Sequence, residues 1–70
     1  MIGQPVRSSN LASVDYAWWS GTLTIEFHHG GVYEYYGVPH AVYSGLMEAS
    51  SHGRYFWHYI RNRFRYRRIQ

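Results

Sequence analysis

Between two glycine turns, Ser20-Gly21 and His29-Gly30-Gly31, the chain alternates residue by residue. Leu23, Ile25 and Phe27 fall on one side of an extended segment, and Thr22, Thr24, Glu26 and His28 on the other. A two-residue period of this kind marks a strand with one buried face. The glycines supply the backbone freedom that tight turns require. Upstream, Leu11 to Trp19 alternates more loosely, with Ala12, Val14, Tyr16 and Trp18 on one face; downstream, Val32 to Tyr36 reads as a third strand with Tyr33 and Tyr35 inward. Three strands joined by turns this short form an antiparallel meander.

The period then changes. Pro39 suits the first turn of a helix, and the spacing of Val42, Leu46 and Ala49 predicts a helix from about Pro39 to Ala49. Gly45 sits beside that stripe, at a cost of ~1 kcal/mol relative to alanine. Ser50-Ser51-His52-Gly53 interrupts the pattern and offers a cap for a further helix. This second helix is predicted from Ser51 or His52 to Phe64. Phe56, Ile60 and Phe64 form its apolar stripe, with Trp57 at the edge. Arg54, His58, Arg61, Arg65 and Arg68 lie opposite, and Tyr55, Tyr59, Asn62 and Tyr66 lie between. Beyond Asn62 the alternation of Arg63, Arg65 and Arg67 with Phe64, Tyr66 and Arg68 has the period of a strand. The basic stripe is therefore defined through Arg61 and depends after it on whether the helix continues. The expected fold is α+β: a three-stranded antiparallel meander followed by two helices packed on one face, β-β-β-α-α. Residues 1–10 read as an extended lead-in, 11–64 as one domain and 65–70 as a basic tail.

Seventy residues make one domain near the lower size at which a single core is self-sufficient. With no cysteine, no disulfide or thiolate-bound zinc can reinforce it. Three Trp, eight Tyr and three Phe compensate, since each aromatic can bury about 150–250 Å². Met1 to Pro5 has neither a basic segment nor an apolar one of the secretory kind, and no apolar run approaches the ~18 residues of a membrane span. The expected setting is cytoplasmic, with no membrane partner.

Charge is unevenly placed. Residues 1–48 carry Arg7 against Asp15, Glu26, Glu34 and Glu48, net −3; residues 49–70 carry six arginines and no acid, +6. There is no lysine. Planar guanidinium groups interleaved with Tyr55, Phe56, Trp57, Tyr59, Phe64 and Tyr66 suit phosphate and can stack on bases. The same chemistry suits an acidic protein surface.

Several spaced elements resemble the KTSC domain, named for its occurrence at the C-terminus of some lysyl-tRNA synthetases. They are Ser8-Ser9 followed by Val14-x-Tyr16; Leu23-x-Ile25-x-Phe27-x-x-Gly30; Tyr33-x-Tyr35-x-x-Val38-Pro39; Leu46-x-x-Ala49-Ser50-Ser51-x-Gly53; and Tyr55-Phe56-x-x-x-Ile60-Arg61. Together they cover about residues 6 to 64. Trp57 departs from the pattern, standing where members often carry Asn. The resemblance implies a small module of a meander followed by helices, with no established catalytic activity. The association with a tRNA ligase implies RNA contact, although the domain also occurs free-standing, including in phage.

On these grounds the expected function is non-enzymatic binding of RNA or another polyanion through Arg54, His58, Arg61, Arg65, Tyr66, Arg67 and Arg68. The outer sheet face, with Thr22, Thr24, Glu26, His28, Glu34 and Asp15, is acidic and lacks the paired aromatics of a base-stacking sheet. The alternative is a protein-binding or self-associating module, with Trp18, Trp19, Tyr36 and Trp57 as interface candidates, because aromatic and Arg side chains favour interfaces. Three strands also leave two edges open to pairing between copies. No metal or other cofactor is expected: His28 and His29 point to opposite faces, His52 and His58 lie about 240° apart on a helix, and His40 is isolated. Arg61, His58 and Tyr66 are the residue types of a metal-free ribonuclease, but their spacing is not diagnostic.

Overall fold

The computed structural model describes residues 3–70. Its elements are strand β1 (Gln4–Pro5), strand β2 (Leu11–Ala17), strand β3 (Thr22–Phe27), strand β4 (Val32–Tyr35), helix α1 (His40–Glu48), helix α2 (His52–Tyr59) and strand β5 (Tyr66–Arg68). The sheet is antiparallel with its strands in chain order, so the expected meander β2-β3-β4 forms its centre. It has five strands rather than three, because both ends of the domain return to it. Gln4 and Pro5 pair with Val14 and Ser13, and Tyr66, Arg67 and Arg68 pair with Tyr35, Glu34 and Tyr33.

The inner face of the sheet carries the core. Leu23, Ile25 and Phe27 of β3 are buried with Tyr35, Val38, Leu46 of α1, and Phe56 and Ile60 from α2 and its end. Burying each such side chain contributes about 1.5–3 kcal/mol. On β2 the simple alternation fails at its start. Leu11 faces Phe27, and Ser13 faces Glu26, so the register shifts across Ala12. This bulge lets Leu11 and Val14, three positions apart, both enter the core, whereas alternation alone puts Ala12 there and leaves Leu11 out. Trp18 is likewise not on the inward face: β2 ends at Ala17, and Trp18 and Trp19 stand in the turn to β3. Gly21 closes that turn at φ 70, with its carbonyl accepting from Val38 N–H at 2.9 Å. A Cβ at Gly21 would lie 3.2 Å from the Val38 carbonyl oxygen, so the position needs glycine for its dihedral and for the close approach.

The two helices follow their apolar stripes, and α1 lies within a residue of its expected bounds. Ser51 caps α2, its Oγ accepting from Arg54 N–H at 3.2 Å. The end of α2 differs from the sequence expectation. The helix stops at Tyr59; a turn spans residues 60–63, and the chain reverses into β5. Continued helix would carry Arg63 and Arg67 toward the apolar face, where burying unpaired charge is costly. With the reversal both are exposed, Arg63 in the turn and Arg67 in β5, Phe64 packs against the core, and Arg63 Nε donates to the His58 carbonyl at 3.3 Å.

Helix–helix packing depends on Gly45. A Cβ there would overlap the Tyr55 side chain, reaching 2.7 Å from its Cζ. Gly45→Ala should therefore destabilise the protein despite gaining ~1 kcal/mol of helix propensity. In a Tyr55→Ala background the same substitution should become stabilising. Urea denaturation of the four-member double-mutant cycle reads this change of sign.

Candidate functional site

The register of β5 decides where the C-terminal arginines go. Tyr66 opposes Tyr35 and Arg68 opposes Tyr33, so both share the helix-covered face with those tyrosines; Arg67 opposes Glu34 on the other face. Arg65 is exposed, and its carbonyl accepts from Tyr36 N–H at 2.9 Å. The basic residues thus do not form the single helical stripe expected beyond Arg61. Arg54 and His58 border a shallow groove of about 240 Å³ with Tyr55 and Tyr59, whose rings are 4.6 Å apart. Arg61 and Arg68 lie instead around a separate aromatic cleft.

That cleft, about 290 Å³, is lined by Phe27, His29, Tyr33, Tyr35, Phe56, Arg61, Asn62 and Tyr66. Its floor is the inner face of β4 and β5. Tyr35 and Tyr66 are 5.6 Å apart and Tyr33 and Tyr66 are 5.9 Å apart, centroid to centroid. Behind them Phe56 meets Phe27 and Tyr35 edge-on, at 5.3 and 5.5 Å. His29, from the β3–β4 turn, lies parallel to Phe27 at 5.3 Å. The α2 terminus supplies the polar wall. Arg61 N–H donates to the Phe56 carbonyl at 3.0 Å, and the guanidinium lies 4.0 Å from the Trp57 ring centroid. Arg68 lies 5.8 Å over Tyr33, with Nε donating to the Gln70 carbonyl at 2.7 Å. Both guanidinium groups rest on rings and keep their charge toward solvent.

The carboxylates are elsewhere. Glu26 accepts from Ser13 Oγ at 3.1 Å, and Glu34 from the Tyr36 hydroxyl at 2.9 Å, on the face away from the helices. That bond to a carboxylate raises the Tyr36 pKa. Two histidines are tied to backbone: His28 Nε2 to the Ser8 carbonyl at 2.9 Å and His52 Nδ1 to the Leu46 carbonyl at 2.7 Å. Among the described residues, no three His, Asp or Glu side chains are grouped to hold a metal ion. Of the interface candidates, Trp18 and Trp19 are 75 % and 73 % exposed and meet edge-on, Trp57 is exposed beneath Arg61, and Tyr36 is half-buried.

Sequence reasoning singled out Arg61 and Tyr66 but assigned Tyr33, Tyr35 and Phe27 to the core alone. The signal that could have joined them was the two-residue period from Arg63 to Arg68.

A five-stranded antiparallel sheet with two short helices on one face and an aromatic cleft at its β5 edge defines a small α+β module. The profile of the KTSC domain family matches residues 7–64, and the chain belongs to that family. It is similar to the crystal structure of a KTSC domain protein from Yersinia pestis, with 39 % identity and a TM-score of 0.93, covering 96 % of this chain and 94 % of that one. It is 46 % identical over 48 residues to the lysine–tRNA ligase of Trichormus variabilis, which covers 69 % of this chain and only 9 % of the ligase. A Tsukamurella paurometabola protein is 37 % identical over 62 residues, with 89 % of this chain and 92 % of the relative covered. No helix among the described residues is long and apolar enough to cross a membrane.

Tyr35 links the cleft to the core. Burial, reinforced by Tyr33 and Tyr66 and opposed by Arg61, pushes its pKa from 10.0 up to about 12. Its contribution to stability is complete below pH 10, where folded and unfolded chains both hold the proton. It declines as the unfolded chain releases that proton, and is gone once the pH passes the folded value. Tyr35→Phe should therefore lose about 1 kcal/mol less than the parent between pH ~9 and ~11, read by urea denaturation at each pH.

Proposed function

We propose that this KTSC domain is a non-enzymatic, cytoplasmic binding module for a polyanion, and that single-stranded RNA is its principal ligand. The observation that carries this reading is the conjunction of an open tyrosine floor with Arg61 and Arg68 at its margin, on the face away from the sheet's carboxylates. Aromatic platforms bordered by arginine suit single strands, because every base has a face to stack and every nucleotide a phosphate to neutralise. Arg54 and His58, at the groove along α2, extend the positive surface beyond the cleft. The similarity to a short part of lysine–tRNA ligases favours RNA among polyanions, because proteins of that name act on tRNA.

A second reading rests on the turn between β2 and β3. Trp18 and Trp19 are exposed there, at the end of β3 opposite Phe27. Two exposed indoles favour a protein contact, either with an acidic partner or with a second copy of the chain. Light scattering and pull-down experiments on the parent and on a Trp18→Ser/Trp19→Ser variant test it. A strict monomer that captures no protein counts against it.

For the principal reading, titration of a labelled single-stranded RNA over a salt series should give a log–log slope of about −0.7 for each phosphate contacted. Arg54→Glu/Arg61→Glu should weaken binding at least about tenfold at low salt and flatten that slope. Unchanged affinity in this variant would overturn the assignment of these arginines.

A further inference from the structure

We infer that the cleft between α2 and the β4–β5 edge holds one unstacked nucleobase of a bound single strand, seated on Tyr66 and Tyr33 with Arg61 over the adjoining phosphate. This inference rests on the polyanion reading and makes it specific. Volume is the first argument. About 290 Å³ lies at the small end of ligand pockets, which begin near 300 Å³. Such a space is large enough for one planar ring system. The second argument is the chemistry of the walls. The floor is aromatic, and among the described residues Arg61 is the only Arg, Asp or Glu lining the cleft. Asn62 beside it offers two donors and an acceptor, the combination needed to meet the edge of a base.

Position supplies the third argument. Tyr66 is 58 % exposed although its ring lies against Tyr33 and Tyr35, so one side of it is available to a ligand. Tyr35 is only 4 % exposed and packs on Phe56; it fixes the floor and leaves the stacking surface to its neighbours. The Arg61 guanidinium is held over Trp57 and borders the cleft without filling it. A duplex keeps its bases stacked and cannot present one to this floor.

The test compares a short oligouridylate with a ribose-phosphate oligomer of equal length lacking bases, both by fluorescence anisotropy at one salt concentration. The parent protein should bind the base-containing strand about 5- to 150-fold more tightly, the range that one stacked base provides. Tyr66→Ala should bring the two affinities within about twofold, and Tyr66→Phe should restore the preference. Circular dichroism melting of both variants shows whether each remains folded, and amide hydrogen exchange at residues 66–68 whether β5 remains paired. If the parent binds both oligomers equally, the base site is overturned while the polyanion reading stands. If it binds neither, the polyanion reading fails and the base site fails with it.

Discussion

Pairing of Tyr66–Arg68 with Tyr33–Tyr35 is the constraint on which the candidate site depends. A β5 of three residues adds few hydrogen bonds, yet its antiparallel register sorts side chains by face. Tyr66 and Arg68 join the tyrosines under the helices, and Arg67 is sent to the carboxylate side opposite Glu34. Without that pairing the last residues would be a solvated basic tail of no fixed geometry. With it, a segment rich in arginine becomes the edge of an aromatic floor. The turn at residues 60–63 makes this geometry available. Ile60 stays fully buried at the end of α2, which anchors the reversal, and Arg63 secures it through the His58 carbonyl.

The same reversal resolves a conflict that a helical reading creates. Phe56, Ile60 and Phe64 share a face at helical spacing, but so, nearly, do Arg63 and Arg67. Continuing the helix would bury charge to gain the burial of Phe64. The chain obtains both by leaving the helix after Tyr59: Phe64 reaches the core from irregular backbone, and the arginines remain in solvent. Desolvating a single guanidinium costs several kcal/mol, more than one or two helical hydrogen bonds return.

How much of this was legible in the sequence varies with what stabilises each element. Leu23, Ile25 and Phe27 are buried where alternation put them, and Leu46 is buried where the helical stripe put it. These elements carry their own pattern because each buries a whole face. The edge strands do not: Gln4–Pro5 is too short to show a period, and Tyr66–Arg68 contains no aliphatic residue. Both exist through pairing with a strand already formed, an influence that local periodicity cannot register. The bulge at Ala12 is hidden for a related reason, since a register shift belongs to two strands at once. For the site, Arg61 and Tyr66 were recognisable by residue type. Tyr33 and Tyr35 read only as core because their second role appears once β5 is placed beside β4.

That double role bears on how a domain this small can hold a defined binding surface. It has no cysteine to reinforce it and little core to spare. A cleft built on loops would have no support, whereas this one is floored by rings whose other faces already serve the core. Tyr35 meets Phe56, Phe56 meets Phe27, and Phe27 meets both Tyr33 and His29. The energy that orders the core therefore also orders the floor, and a ligand settling there meets surfaces whose conformational entropy has largely been lost on folding. Tyr66 and the arginines touch that network from its exposed margin and are not buried in it. Changes at Tyr35 or Phe56 must disturb folding and binding together, while changes at Tyr66, Arg61 or Arg68 can separate them.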